Sequence, residues 1–397
     1  MKMFTRSAGL LTAKGRDRLG RSRGRSAIGL LALAACASRS VPVETTDVDS
    51  AQAPRTQQTL AMGARRLCAI VGPGQKIGCI GPAGENTLPG SAGARRVATN
   101  DEATCATFDD GALRCWDWRT GGAHDEPRTY TLEGADGAVK LDLFAATFAA
   151  RLGPTFRILT PCILSGAGQV RCWRIENGAA GSATTFQDLH SIQDIDFIGL
   201  RLCAVRRSGQ VACFDPPAEH GVIPVPGIAD ATRIAGGPQS MCVLHDAGGV
   251  SCRIQRGVPE RWDWHEWHAI PGPTHAVELF SGDGYTYGAD GGLTIRMCIL
   301  NADGEVQCWR DHRESGPHSH YEDHELAPSP IDVQRIELGD AARADFVQLY
   351  GATVCHRYRN AVRCRGARHR PWSEDTDSVV FTPKDFRARR PTLGGAR

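Results

Sequence analysis

The sequence predicts an all-β fold, a seven-bladed β-propeller with one disulfide-closed hairpin per blade. Three observations carry this. Fourteen of the 15 cysteines fall into seven local pairs. Within the pairs a glycine and an aliphatic residue recur at constant offsets. The pairs themselves recur every 37–57 residues, the interval of propeller blades and related β arrays.

The clearest copy runs from Cys298 to Cys308 and ends in Trp309. Two short β-type runs flank Ala302-Asp303-Gly304, which suits a three-residue hairpin loop: a type I turn followed by a left-handed residue. Gly304 stands where the left-handed residue falls, and glycine takes that conformation without strain. Counting outward sets Val306 opposite Leu300 and Cys308 opposite Cys298. Directly opposed strand residues lie roughly 4.5–5.5 Å apart at Cα, within reach of a disulfide. The same arrangement pairs Cys68 with Cys79, Cys105 with Cys115, Cys162 with Cys172, Cys203 with Cys213, Cys242 with Cys252 and Cys355 with Cys364. Six residues after the first cysteine stand Gly74, Gly111, Gly168, Gly209, Gly248 and Gly304, with Ala361 the exception. Two residues before the second stand Ile77, Leu113, Val170, Val211, Val250, Val306 and Val362. Zinc would need ligands two to four residues apart, a spacing none of these pairs has. Paired cysteines of this kind indicate an oxidising compartment.

Each interval has room for the hairpin and two more strands. The candidates include Arg96–Thr99, Asp194–Ile198, Ala276–Phe280 and Asp345–Leu349. About Ser378 to Thr382, a last strand is expected to close the ring beside the first blade. An open solenoid of hairpins is the alternative. The seventh unit departs most from the pattern, with a two-residue turn expected at Arg359-Asn360. Each closed loop should stabilise by roughly 2–3 kcal/mol.

The front of the chain is different in kind. Residues 1–35 hold eight of the 46 Lys and Arg but one of the 44 Asp and Glu, and end in an apolar run from Ala27 to Ala35. That run is too short to span a bilayer and has the form of a signal-peptide core. Leu33-Ala34-Ala35-Cys36 resembles the lipobox of bacterial lipoproteins. The resemblance implies cleavage before Cys36 and lipid attachment to it. Ala37, in place of an inner-membrane retention aspartate, points to the outer membrane, at its periplasmic face or the cell surface. An ordinary secretory signal is the alternative. Residues 36–58 are expected to be the lipidated cysteine and a flexible tether, 59–385 the propeller, and 386–397 a basic tail. Without the leader the chain is slightly acidic, which gives no support for nucleic-acid binding. The lipid is then the only expected membrane contact.

Three connections are long: Trp116 to Pro161, Arg253 to Met297 and Trp309 to Val354. Such loops carry binding residues on rigid scaffolds. The second contains Trp262, Trp264 and Trp267. On a strand the first two share a face, where they suit stacking on a sugar or a protein partner; packing between blades is the alternative. The third contains His318, His320 and His324, weak candidates for metal. A polar solvated loop is the plainer expectation, and no metal or other cofactor is expected. The segment with Asp283 and Asp290 fits no EF-hand spacing. No nucleophile elbow, phosphate loop, zinc-protease helix or kinase motif appears.

The repeat from Cys105 to Trp116, Cys162 to Trp173 and Cys298 to Trp309 resembles bacterial repeats of the regulator of chromosome condensation family. The resemblance covers roughly residues 59–385 and implies a seven-bladed propeller. Similar proteins include an inhibitor of secreted β-lactamases and a nucleotide-exchange factor for a nuclear GTPase; the second role conflicts with the export signal. The expected function is a non-enzymatic, surface-anchored scaffold, a monomer that binds a protein or glycan through rim loops, with no catalytic residue assigned. The alternatives are an extracytoplasmic lyase or glycosidase and an inhibitor of a secreted enzyme. Carboxylates converging at the central channel would favour the enzyme.

Overall fold

The computed structural model resolves the chain into two units, Met1–Ala51 and Gln52–Arg397. It describes residues 58–381 apart from 64–65, 82–83, 101, 119–126, 150–154, 187, 215–220, 238–239, 257–262, 265–266, 282–295, 312–332, 337–343, 345, 351–352, 359–360 and 366–378. Cys36 and the leader therefore lie outside the described residues. Every element among the described residues is a β-strand, and all pairings are antiparallel in seven separate sheets.

Five of the sheets are simple meanders, in which chain order equals order across the sheet. Blade 4 is typical: Ile192–Ile198, Arg201–Arg206, Val211–Phe214 and Ile223–Val225 run from inside to outside. The innermost strands are Leu60–Met62, Ala94–Thr99, Ala138–Ala149, Ile192–Ile198, Ala231–Gly236, Ala276–Ser281 and Phe346–Tyr350. Each touches the next around the ring, and Phe346–Tyr350 touches Leu60–Met62. The four further strands expected from sequence are all of this class.

Ring closure differs from the expectation. Val379–Phe381 pairs with Ala361–Arg365 and completes blade 7 from outside. It does not join blade 1. The ring shuts by packing, with Leu60, Met62 and Leu67 of blade 1 in one apolar cluster with Phe346, Cys355 and Val362 of blade 7. The apolar core as a whole is divided this way, with most clusters spanning the seam between neighbouring blades. A single hairpin cannot bury its faces alone, and a neighbour supplies the cover.

The disulfide frame follows from the hairpin geometry. All seven expected bridges are present, each within one hairpin. Cys68 is bonded to Cys79 in blade 1, Cys105 to Cys115 in blade 2 and Cys162 to Cys172 in blade 3. Cys203 is bonded to Cys213 in blade 4 and Cys242 to Cys252 in blade 5. Cys298 is bonded to Cys308 in blade 6 and Cys355 to Cys364 in blade 7. The Cα separations are 3.9–4.1 Å, shorter than the roughly 4.5–5.5 Å of ordinary opposed residues. The register accounts for the close approach. In blade 6 the Asn301 N–H donates to Glu305 O, which closes the three-residue loop. Counting outward from that bonded pair places Cys298 and Cys308 at a non-hydrogen-bonded position, where side chains approach most closely.

The repeated glycine has two reasons. Gly111, Gly168, Gly209, Gly248 and Gly304 all have φ between 75° and 85°. The carbonyls of Gly111, Gly168, Gly209 and Gly304 also accept from the chain leading into the next blade, at Ala135, Ile192, Ala231 and Ala344. A Cβ on Gly209 would stand 2.2 Å from Ala229 O, so the hairpin tip presses on the following seam. Blade 1 departs from this. Its extra residue makes a loop from Gly72 to Gln75, and the left-handed positions are Gly72 and Gln75, not Gly74. In blade 7 the pairing of Tyr358 with Ala361 leaves Arg359 and Asn360 as the connection.

Candidate functional site

The innermost strands carry a row of charges at one repeated position. In blades 3 to 6 the residue opposite the aliphatic residue that lies two after the first cysteine is Lys140, Asp194, Arg233 and Glu278. In blades 4, 5 and 6 a bulge immediately precedes it, and bulges re-aim the side chains beside them. The signs alternate, and neighbours pair: Lys140 Nζ lies 3.0 Å from Asp194 Oδ1, and Arg233 Nε lies 3.2 Å from Glu278 Oε2.

Two residues further along stand Asp142 and Asp196. Three carboxylates therefore converge near the axis, and each is spent on a seam. Asp142 accepts from Phe197 N, Asp194 from Ile234 N and Asp196 from Gly236 N, all on the next blade. The Asp142 and Asp196 carboxyls also lie close enough to influence each other's ionisation. Burial first, then the Asp142 charge, pushes Asp196 well above the usual carboxylate range, with Lys140 opposing. Asp142 is raised by burial as well. Both carboxyls are thus biased toward the protonated form. Lys140 is held above its ordinary value because its three aspartate neighbours outweigh its burial. Among the described residues no group of three or more His, Cys, Asp or Glu is placed to hold a metal ion.

An open polar concavity lies elsewhere, between blades 2 and 3. The long connection after Trp116 does not remain a loop. It supplies Arg128–Leu132, the outer strand of blade 2, and lengthens the inner hairpin of blade 3 to Ala138–Ala149 and Thr155–Ser165. The far part of that hairpin pairs with a second ribbon, Ile175–Glu176 and Ala179–Ala180. Asn177-Gly178 turns this ribbon with φ of 48° and 85°, the conformation that a two-residue type I′ turn requires. Asn177 is anchored to Arg157 by backbone and side-chain bonds.

The resulting pocket has a volume of about 200 Å³. Glu102, Asp117, Arg128 and Arg157 supply its charges, and Ile158, Leu159 and Ile175 its apolar wall. Arg157 pairs with Asp117 at 3.5 Å. Arg128 lies over the Tyr130 ring at 5.3 Å and against Gly178, where a Cβ would stand 2.3 Å from Nη1. Tyr130 is 7% exposed, and its hydroxyl has no hydrogen-bond partner among the described residues. Burial raises the phenol's pKa above its ordinary value.

Of the tryptophans and histidines singled out in the sequence, Trp267 is described in full. It is half-buried and packs against the cluster joining blades 4 and 5. Its indole donates to Pro226 O at 3.0 Å. Trp116, the motif tryptophan of blade 2, donates to Pro89 O at 3.2 Å in the corresponding place. Blade 5 has Arg253 where the motif has Trp, and the Arg253 guanidinium lies 4.7 Å from the Trp267 ring. Burial lowers Arg253 to about 10. Trp267 thus occupies the place that the motif residue leaves empty. Trp264 contributes backbone to a short strand, Asp263–Trp264, paired with Val250–Arg256; its side chain, Trp262, His318, His320 and His324 lie outside the described residues. None of the pocket's charged residues was singled out from sequence, and the one legible signal was Asn177-Gly178 as a tight-hairpin dipeptide.

No family model matches the chain, and no curated protein matches it. Solved structures do. Prp20p of Saccharomyces cerevisiae, a protein studied for its binding to Gsp1p and histones, matches at 11% identity and a TM-score of 0.47, over 74% of this chain and 80% of its own. Human WBSCR16 matches at 13% and 0.48, over 75% and 86%. Hsv2 of Kluyveromyces lactis matches at 8% and 0.48, over 83% and 98%. These likenesses concern the fold alone, and the fold itself stands on the seven-sheet ring.

Proposed function

We propose that the chain is a non-enzymatic binding scaffold, exported and held at the outer membrane by lipid on Cys36, that recognises a protein or glycan partner through the rim of its propeller. The observation that supports this most is the use of the axial charges. Lys140, Asp142, Asp194, Asp196, Arg233 and Glu278 are all engaged across blade seams. The pocket with open charges lies away from them, between two blades. Binding residues on inserted segments over a rigid frame are the usual division of labour.

The enzymatic alternative has one observation in its favour, the neighbouring buried carboxyls of Asp142 and Asp196, both raised above the usual carboxylate range. Its geometry argues against glycoside hydrolysis. Each of the two carboxyls is buried and accepts a backbone N–H from the next blade, so neither is presented to an open site where a glycosidic bond could lie. The test is incubation of the full chain with cell-envelope polysaccharides. Bound material should appear without new reducing ends or unsaturated products. Turnover that Asp142→Asn abolishes would overturn the scaffold. For the anchor, Cys36→Ser should abolish metabolic lipid labelling; labelling that persists would refute lipidation there.

A further inference from the structure

The connection into blade 5 is clamped differently from its counterparts. In blades 2 and 3 the residue before the second cysteine is arginine. Arg114 donates to Gly90 O at 3.0 Å and Arg171 to Gly134 O at 2.9 Å, each on the connection into its own blade. Blade 5 has the shorter Ser251 at that position. His245, at the start of the hairpin loop, bridges the gap. Its Nδ1 lies 2.7 Å from Asp230 Oδ1, on the connection into blade 5, and its Nε2 lies 2.8 Å from Ser251 Oγ. A carboxylate only accepts, so Nδ1 carries the imidazole hydrogen and Nε2 turns its lone pair to the Ser251 hydroxyl. Carboxylate, imidazole and hydroxyl in this order make a base-activated serine. The groups are open to solvent in part: the side chains of Asp230 and His245 are 50% and 19% exposed, and Ser251 is half-buried.

The backbone sets a limit on the chemistry. Ser251 pairs with Val243 on one side and Ala269 on the other. The His245 N–H donates to Gly249 O. Counting outward from that bonded pair puts Val243 and Ser251 at a hydrogen-bonded position, so the Ser251 N–H is used by the sheet. Efficient turnover of an ester relies on N–H groups aimed at the developing oxyanion, and the Ser251 N–H is not free to be one of them.

We propose that Ser251 is a covalent modification site, acylated by activated carboxylic esters and retaining the acyl group. This goes beyond the scaffold reading and does not rest on it. Ser251 Oγ attacks the ester carbonyl carbon, and its proton passes to His245 Nε2. The carbonyl–oxygen bond to the leaving alcohol breaks, the alcohol takes that proton, and the acyl group stays on Ser251 as an ester. Asp230 is a positioning residue, which holds the imidazole in the accepting tautomer.

The test is incubation of the full chain in detergent with p-nitrophenyl acetate, with peptide mapping by mass spectrometry. An acetyl group should appear on Ser251 ahead of Ser208, an exposed serine on the hairpin tip of blade 4. Ser251→Ala and His245→Gln should each remove the Ser251-dependent burst of p-nitrophenol. Asp230→Asn should slow acetylation of Ser251 by roughly tenfold or more, whether or not it changes the melting temperature. Acetylation of Ser251 no faster than that of Ser208, or equal in wild type and His245→Gln, would overturn the proposal. So would variants that lower the melting temperature while wild-type Ser251 stays unmodified, which would leave the three residues as a clamp only. Continued release that Ser251→Ala abolishes would overturn retention of the acyl group, and the non-enzymatic reading with it.

Discussion

The repeated glycine gives a pair of substitutions with opposite expected signs. Gly209→Ala forces a Cβ onto a residue at φ 83°, and left-handed backbone costs an L-residue about 1–2 kcal/mol. The new atom would also stand 2.2 Å from Ala229 O and 2.6 Å from Ala229 C. These are backbone atoms, so the connection into blade 5 must move. That movement threatens the 3.0 Å bond from Ala231 N to Gly209 O, worth about 1 kcal/mol. Together these amount to a loss of about 2–3 kcal/mol. Gly74 stands at the same offset in blade 1 but is not left-handed, and a Cβ there meets nothing nearer than the Lys76 side chain at 3.9 Å. Gly74→Ala should be neutral or stabilise by about 0.4–1 kcal/mol through the unfolded chain. Guanidinium unfolding of the oxidised proteins, compared at equal m, measures both. Equal destabilisation by the two substitutions, or a neutral Gly209→Ala, would refute the account of hairpin tips pressing on the next seam.

Replacing Cys203 and Cys213 together by Ala should cost roughly 2–3 kcal/mol, and mass mapping of the unreduced chain should find bridges only within hairpins. Trp267→Ala should lower the melting temperature markedly, because it opens the seam between blades 4 and 5 and frees Pro226 O; buried Trp→Ala changes cost about 3–5 kcal/mol, and this half-buried ring should fall toward the lower figure. Trp262→Ala with Trp264→Ala should instead leave the melt unchanged and weaken partner binding; a large drop in the melt would retire their role in recognition. Asp196 has a folded pKa above its unfolded one, so the folded state binds more protons between the two values and stability falls as pH rises through that window. Asp196→Asn keeps an acceptor for Gly236 N, so it should flatten that slope and raise stability at neutral pH, as read by melting temperature across pH 4–8.

The hairpins were legible because they are local. A disulfide, a turn glycine and a closing aliphatic residue all fall within one short loop, and their spacing is set by strand register. The pairing survives even where the loop changes length: Cys68 still faces Cys79 across the longer turn of blade 1, and Cys355 still faces Cys364 across the shorter turn of blade 7. Four of the innermost strands were legible as strands from their β-type runs, while their place at the axis follows from packing between blades. Ring closure was not, because β-type residues at 378–382 suit either edge of a sheet, and only packing at Leu60 and Phe346 decides which. Gly74 misled for a related reason: one inserted residue moves the left-handed position along the chain without changing the glycine's offset from Cys68.

Trp267 shows why loop length alone is a poor guide to function in a drifted repeat. The connection that contains it looked like an addition to a complete blade. Blade 5 is not complete, since Arg253 stands where the motif has tryptophan, and the insertion returns an indole to the same neighbourhood 14 residues later. The seam requires a flat apolar group with one donor facing the Pro226 carbonyl, and it is indifferent to where in the chain that group originates. The same logic runs the other way at blades 2 and 3. There Trp116 and Trp173 are present and buried, so no inserted tryptophan has to stand in for the motif residue, even though Tyr130, Leu132, Leu143 and Leu159 of the same connection join the core. The outer strand of blade 2 brings Arg128, the extended hairpin brings Arg157, and with the Asn177-Gly178 ribbon they border an open pocket. An insertion beside a blade whose motif is intact is the one with residues to spare for recognition.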